Sequence, residues 1–145
     1  FFFSEGETLY SQAEQQKSSL VVCLLDIDHF KNVNDTYGHD CGDKILIHFS
    51  TLLRDFFTKD LVARIGGEEF VVLLNNTDIK AVSQSMNDFR ELVANTTTLY
   101  DDQSISVSIS AGLNDCLNGN IDTMLKVADE KLYLAKERGR NQVVY

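Results

Sequence analysis

The chain has 145 residues and a formal net charge of -9, with three cysteines and no proline. That length suits one domain able to bury a full core, and the acidic balance argues against a nucleic-acid partner, which calls for clustered Lys and Arg. Cys23, Cys41 and Cys116 are odd in number and lack metal-site spacing, so they read as reduced thiols of a cytoplasmic protein; no apolar run approaches membrane length, and no basic-then-apolar leader opens the chain.

In chain order, Ser4 to Gln16 suits a helix, and Ser19 to Leu25 is an apolar run of buried-strand length that ends in Asp26-Ile27-Asp28. Phe30 to Asp43 is dense in polar and turn-forming residues. A helix is expected from about Gly42, where Ile45, Leu46, Phe49, Leu52, Leu53 and Phe56 recur at helical spacing as core. Leu61 to Ile65 and Phe70 to Leu74 read as two strands of a hairpin, with Gly66-Gly67 supplying the unusual backbone angles of its turn. Ile79 to Ala94 follows as a helix. Ile105, Val107, Ile109 and Ala111 alternate with serines in a β-rich run ending at Leu113. The last helix, Ile121 to about Arg138, is closed by Gly139, and Val143 to Tyr145 forms a short strand. The order β-α-β-β-α-β with an added helix and strand points to a ferredoxin-like antiparallel sheet flanked by helices, an α+β fold. Its first strand then lies antiparallel to the second strand of the hairpin, so Asp26 and Glu68 share an edge.

Acids at the exit of a buried strand are costly unless paired, and a divalent ion is the usual partner for converging carboxylates. Asp26 and Glu68 are therefore candidate ligands of one Mg²⁺ or Mn²⁺ site. For Asp28, pairing with Lys31 or capping the turn is the favoured alternative to a ligand role.

Three separated motifs agree in order and spacing: D-I-D-x-F-K-x-x-N-D-x-x-G-H-x-x-G-D from Asp26 to Asp43, R-x-G-G-E-E-F from Arg64 to Phe70, and A-D-x-x-L-Y-x-A-K-x-x-G-R-N from Ala128 to Asn141. On these residues, from about Leu20 onward, the chain resembles a GGDEF domain, the catalytic domain of diguanylate cyclases, in its GGEEF form. The resemblance implies the palm-like fold of nucleotidyl cyclases and condensation of two GTP into cyclic di-GMP with release of two pyrophosphates. It implies a homodimer, because each domain holds one GTP, and two Mg²⁺ (or Mn²⁺) ions per GTP held by Asp26, the backbone carbonyl of Ile27 and Glu68.

By the same resemblance Asn34 and Asp43 read guanine and His39 lies at the nucleotide. The backbone amides of His29 and Phe30, with Lys31, Lys136 and Arg140, meet the phosphates. Glu68 is the proton acceptor, Lys31 stabilises the transition state, Glu69 assists at the metal or orients the turn, and Arg64 is a support that steers Glu68 or reaches a phosphate, with a cross-strand ion pair as its alternative. The family's inhibitory Arg-x-x-Asp falls on Phe57 and Asp60; Phe57 can stack on a base but lacks the guanidinium, so product inhibition there is expected to be absent. The family's usual segment ahead of the first helix is missing, so the chain reads as a single domain, 1–145, from the C-terminal part of a larger signalling protein. Neither nucleic acid nor membrane is an expected contact of this domain. The rival reading is a silent GGDEF domain that binds GTP or signals through contacts; the full set of Asp26, Lys31, Asn34, Asp43 and Glu68 argues against it.

Overall fold

A computed structural model describes residues 2–145. Its organising element is β1 (Leu20–Ile27), an apolar run whose residues are all buried. Such a run belongs at the centre of a sheet covered on both faces. Two-residue alternation sends Val21, Cys23, Leu25 and Ile27 into one core cluster and Leu20, Val22 and Leu24 into another.

The hairpin β2 (Leu61–Gly66) and β3 (Glu69–Asn75) lies on one side of β1. On the other side lie β6 (Ile109–Asn114) and β7 (Val143–Val144), giving the order β2-β3-β1-β6-β7. All pairs are antiparallel except β6 with β7, so the sheet carries one parallel edge strand. Helices α3 (His39–Phe56) and α4 (Ile79–Ala94) cover the first face, through Phe49 and Phe89 among others. Helices α1 (Phe2–Gln16) and α5 (Ile121–Glu137) cover the second.

Two features of this packing position the site. Phe70, directly after Glu69, is 1% exposed and meets Phe49 edge-on with ring centroids 4.9 Å apart, which anchors the start of β3. Gly112 in β6 lies so close to α5 that an added Cβ would stand 2.2 Å from the Leu132 nitrogen and 2.3 Å from the Ala128 oxygen. Only a residue without a side chain lets α5 approach this closely, and that approach brings the last turn of α5 over the end of β1.

Several expectations need correction. The polar stretch after Asp28 is helical: α2 (Phe30–Tyr37) and α3 are separated by Gly38, whose φ of +92° breaks the run. Of α2, Phe30 alone is fully buried, so the segment carries little apolar signal. The run Ile105 to Leu113 is two strands in different sheets, because β5 (Gln103–Ser106) pairs with β4 (Thr97–Tyr100) in a separate hairpin. Its turn, Asp101-Asp102, takes φ of +47° and +63°, the left-handed pair typical of a tight hairpin turn.

Gly66 and Gly67, by contrast, do not take left-handed φ values; the turn is accommodated by a register shift between Arg64 and Gly66. Phe56 is 38% exposed rather than core. Phe57 is buried, packed against Phe56 and Phe89, and so offers no face for a base to stack upon.

Candidate active site

β1 and β3 run antiparallel with Asp26 opposite Glu69, and the Ile27 N–H donates to the Glu68 carbonyl at 3.4 Å. The expected shared edge therefore forms. Around it opens a cleft of about 240 Å³ lined by Asp26, Ile27, His29, Phe30, Lys31, Glu68, Lys136 and Arg140, together with Asp28 and Asn32. Residues more than a hundred positions apart meet here because β1, β3 and the end of α5 converge.

Asp26 is 4% exposed. Its Oδ2 accepts from Lys136 Nζ at 2.5 Å, while its Oδ1 is buried without a hydrogen-bond partner. Burial pushes its carboxyl up from 3.8 to about 6; Lys136 opposes the rise and the Glu68 and Glu69 carboxylates add to it. An orphaned buried carboxylate oxygen beside two further acids is a donor set that fits a hard divalent cation. Among the described residues no group of three or more His, Cys, Asp or Glu side chains is gathered tightly enough to hold a metal by itself. A cation on Asp26 and Glu68 would therefore complete its shell with phosphate or water oxygens, as Mg²⁺ commonly does.

Asp28, two residues on, is equally buried but neither pairs with Lys31 nor caps the turn that follows it, contrary to expectation. Its Oδ1 accepts from Ser110 Oγ at 2.6 Å, and its Oδ2 accepts from Ser108 Oγ at 2.7 Å and from the Asn141 N–H at 3.0 Å. The Asp28 N–H donates to the Ser108 carbonyl at 2.9 Å. Arg140 and Asn141 both hold left-handed φ values, +64° and +49°. Asp28 thus ties down the turn that presents Arg140, a positioning role that its place in a motif did not disclose; the alternate serines 108 and 110 were the available signal.

His29, with φ of +55°, precedes α2 and leaves the helix without a side-chain cap. The first N–H groups of α2 have no intrahelical acceptor, and they sit beside Lys31 at the cleft, an arrangement that suits phosphate oxygens. Arg64 does not form a cross-strand ion pair: its Nε donates to the Gly67 carbonyl at 2.7 Å, bracing the turn that carries Glu68.

Asn34, His39 and Asp43 do not line this cleft. Asn34 Oδ1 is buried without a partner and lies against Gly42, where an added Cβ would stand 1.9 Å away. Asn34 therefore reaches the residue preceding Asp43, which itself lines a neighbouring cleft of about 410 Å³ with Arg54 and Arg64. His39 is exposed at the first residue of α3. Phe57 and Asp60 border a further pocket of about 290 Å³; burial raises the Asp60 carboxyl above its usual range. The thiols Cys23 and Cys41 are buried and shifted upward by that burial, the opposite of an activated nucleophile.

The family model described as "Diguanylate cyclase, GGDEF domain" matches residues 1–142. The chain belongs to the GGDEF family. Diguanylate cyclase A of Treponema denticola is 37% identical over 149 aligned residues, covering 99% of this chain and 40% of that protein. The probable diguanylate cyclase DgcT of Escherichia coli is 37% identical, covering 99% of this chain and 32% of that one. The chain thus spans well under half the length of these curated relatives.

Among solved structures, the GGDEF domain of DgcB from Caulobacter crescentus in complex with c-di-GMP superposes with a TM-score of 0.93 at 26% identity, over 99% of this chain and 86% of that one. The active GGEEF domain of a diguanylate cyclase from Vibrio cholerae gives 0.91 at 26% identity, over 99% and 92%. This GGDEF chain has, among its described residues, no helix long and apolar enough to cross a membrane.

Proposed function

We propose that this GGDEF domain condenses two GTP molecules into cyclic di-GMP, releasing two pyrophosphates, with one GTP held by each protomer of a two-fold dimer. The observation that carries the reading is the single cleft in which Asp26, Glu68, Lys31, Lys136 and Arg140 converge. Family membership and relatives named as diguanylate cyclases support it.

In this reading Asp26, the Ile27 carbonyl and Glu68 hold Mg²⁺ or Mn²⁺, two ions per GTP. When bound, the metal neutralises charge on the triphosphate and lowers the pKa of the attacking 3′-hydroxyl. The first amides of α2 and the Lys31 ammonium take the phosphoryl oxygens near the reacting phosphorus, where added positive charge lowers the barrier. Lys136 and Arg140 hold the outer phosphates, with Asp28 fixing the Arg140 turn from beneath. Glu68 accepts the proton of the 3′-hydroxyl, and Glu69, opposite Asp26 in register, keeps the edge acidic. Asp43 accepts from the N–H donors of the guanine edge, a pattern adenine does not offer, while the Asn34 amide donates and accepts there, and His39 meets the nucleotide.

Product analysis after incubation with Mg²⁺ and GTP tests the reading. Glu68→Gln is expected to remove cyclic di-GMP formation while leaving the circular dichroism spectrum unchanged. Near-normal turnover of that variant, with Mg²⁺ as the sole metal, overturns the assignment.

A further inference from the structure

Asp26 is one of two buried acids at the cleft, and its partner is not a rigid one. Lys136 reaches it from the last turn of α5, its side chain 32% exposed against 5% for Asp26. A lysine tip is a compact charge on a flexible stem, so it can leave without disturbing the backbone that carries it. A divalent cation ligated by Asp26 Oδ2 would lie about 2.1 Å from it, and an ammonium held on the same oxygen would then sit against a like charge. The two cations therefore exclude each other on that oxygen. Lys31 and Arg140 line the same cleft, so a metal arriving without polyanion meets three cationic side chains.

We infer that Lys136 is a resident counter-cation on Asp26, which it surrenders when nucleotide phosphates arrive, so that the domain takes up divalent metal together with a nucleoside triphosphate rather than alone. The inference rests on the metal reading of Asp26 given above. It assigns Lys136 two successive partners, Asp26 in the empty domain and phosphate in the loaded one. Coupling of this kind is reciprocal: as phosphate releases Asp26 for metal, metal releases Lys136 for phosphate.

The test is Mn²⁺ binding to the 145-residue chain, followed by electron paramagnetic resonance of the free ion, with and without a non-hydrolysable GTP analogue. Lys136→Met and Lys136→Gln are each expected to tighten nucleotide-free Mn²⁺ binding roughly tenfold and to shrink the gain brought by the analogue by a similar factor. Lys126→Met, which removes an exposed charge elsewhere on α5, should do neither. If both Lys136 variants bind Mn²⁺ no more tightly than the unaltered chain, the inference is overturned; should one fail to fold, the other decides. Asp26→Asn separates the two levels. If it leaves Mn²⁺ affinity unchanged, the metal reading itself falls; if it weakens binding while the Lys136 variants behave as the unaltered chain, the counter-cation inference alone is wrong.

Discussion

Asp26 and Asp28 stand two residues apart at the exit of one strand, buried to the same degree, and the fold treats them in opposite ways. Asp28 is surrounded by neutral donors, two serine hydroxyls and a backbone N–H, all of them fixed by β6, the residue just before it and the turn after α5. Asp26 has one mobile ammonium and one oxygen with nothing. A carboxylate satisfied by rigid neutral groups stabilises the structure and is unavailable for chemistry, whereas one left half-satisfied at a cleft is held ready for a ligand. The comparison teaches that burial and motif membership do not separate scaffold from site; the mobility and number of donors do.

The comparison is sharpest in a pair of isosteric variants. Asp26→Asn is expected to lower cyclic di-GMP formation by at least about a hundredfold, the scale on which a key electrostatic contact at a reacting centre counts. Its stability should stay within about 1 kcal/mol, since the neutral amide escapes the cost of a buried charge and Lys136 can turn to solvent. Urea denaturation beside a turnover assay measures both. A large loss of stability with retained turnover would reverse the roles of the two acids.

Asp28→Asn is expected to show the mirror image on stability. Its amide nitrogen takes the place of one oxygen, so either Ser110 or the pair Ser108 and Asn141 loses its acceptor, and the charge that strengthens all three bonds is gone; about 2–3 kcal/mol of folding stability should be lost. Residual activity should show a raised KM for GTP, because the Arg140 turn loosens. A variant as stable as the parent would mean that the hydrogen bonds to Asp28 contribute little.

Gly112→Ala probes what the two acids share. The added methyl runs into the backbone of α5 at Leu132 and Ala128, and overpacking against backbone costs about 1–3 kcal/mol. Lys136 can follow Asp26 by a change of rotamer, but the Asn141 N–H cannot follow Asp28. Crystallography of the variant should therefore find the Asp26 pair kept and the Asp28 contact to Asn141 lengthened; loss of the first with retention of the second would contradict the rigid-versus-mobile distinction.

The smallest effect is a pH slope. Asp26 holds its proton to about pH 6 in the folded, metal-free protein against 3.8 ordinarily. The folded state thus binds more protons than the unfolded one between these values, and stability from this group falls as pH rises through that window. Metal-free protein should melt at a slightly higher temperature near pH 5 than near pH 7, and Asp26→Asn should remove that part of the slope. An identical slope in the variant would assign the effect to another group.

Much of the fold was legible because apolar periodicity was strong. β1, the hairpin, α4 and α5 fall close to where the pattern of buried residues puts them, since each covers a continuous core face. α2 was not legible, because it buries one full side chain and leaves most of its surface polar. β4 was missed for a similar reason: four residues, only Thr98 of them buried, depend on a turn of two aspartates for their pairing. Phe57 was misread because exposure is a property of the surroundings, here Phe56 and Phe89, and not of the residue type.

The sequence by itself determined the candidate site residues and their order, since motifs such as Asp26-Ile27-Asp28 and Gly66-Gly67-Glu68-Glu69 are local and their residue types are written in the chain. Tertiary structure alone decided what each of them touches. Lys136 meets Asp26 because Gly112 lets α5 settle against β6, and Asp28 meets the Arg140 turn because β6 and β7 lie side by side. Contacts across more than a hundred residues are set by packing of whole elements, whose energies are shared among many side chains, and no local stretch of sequence contains them.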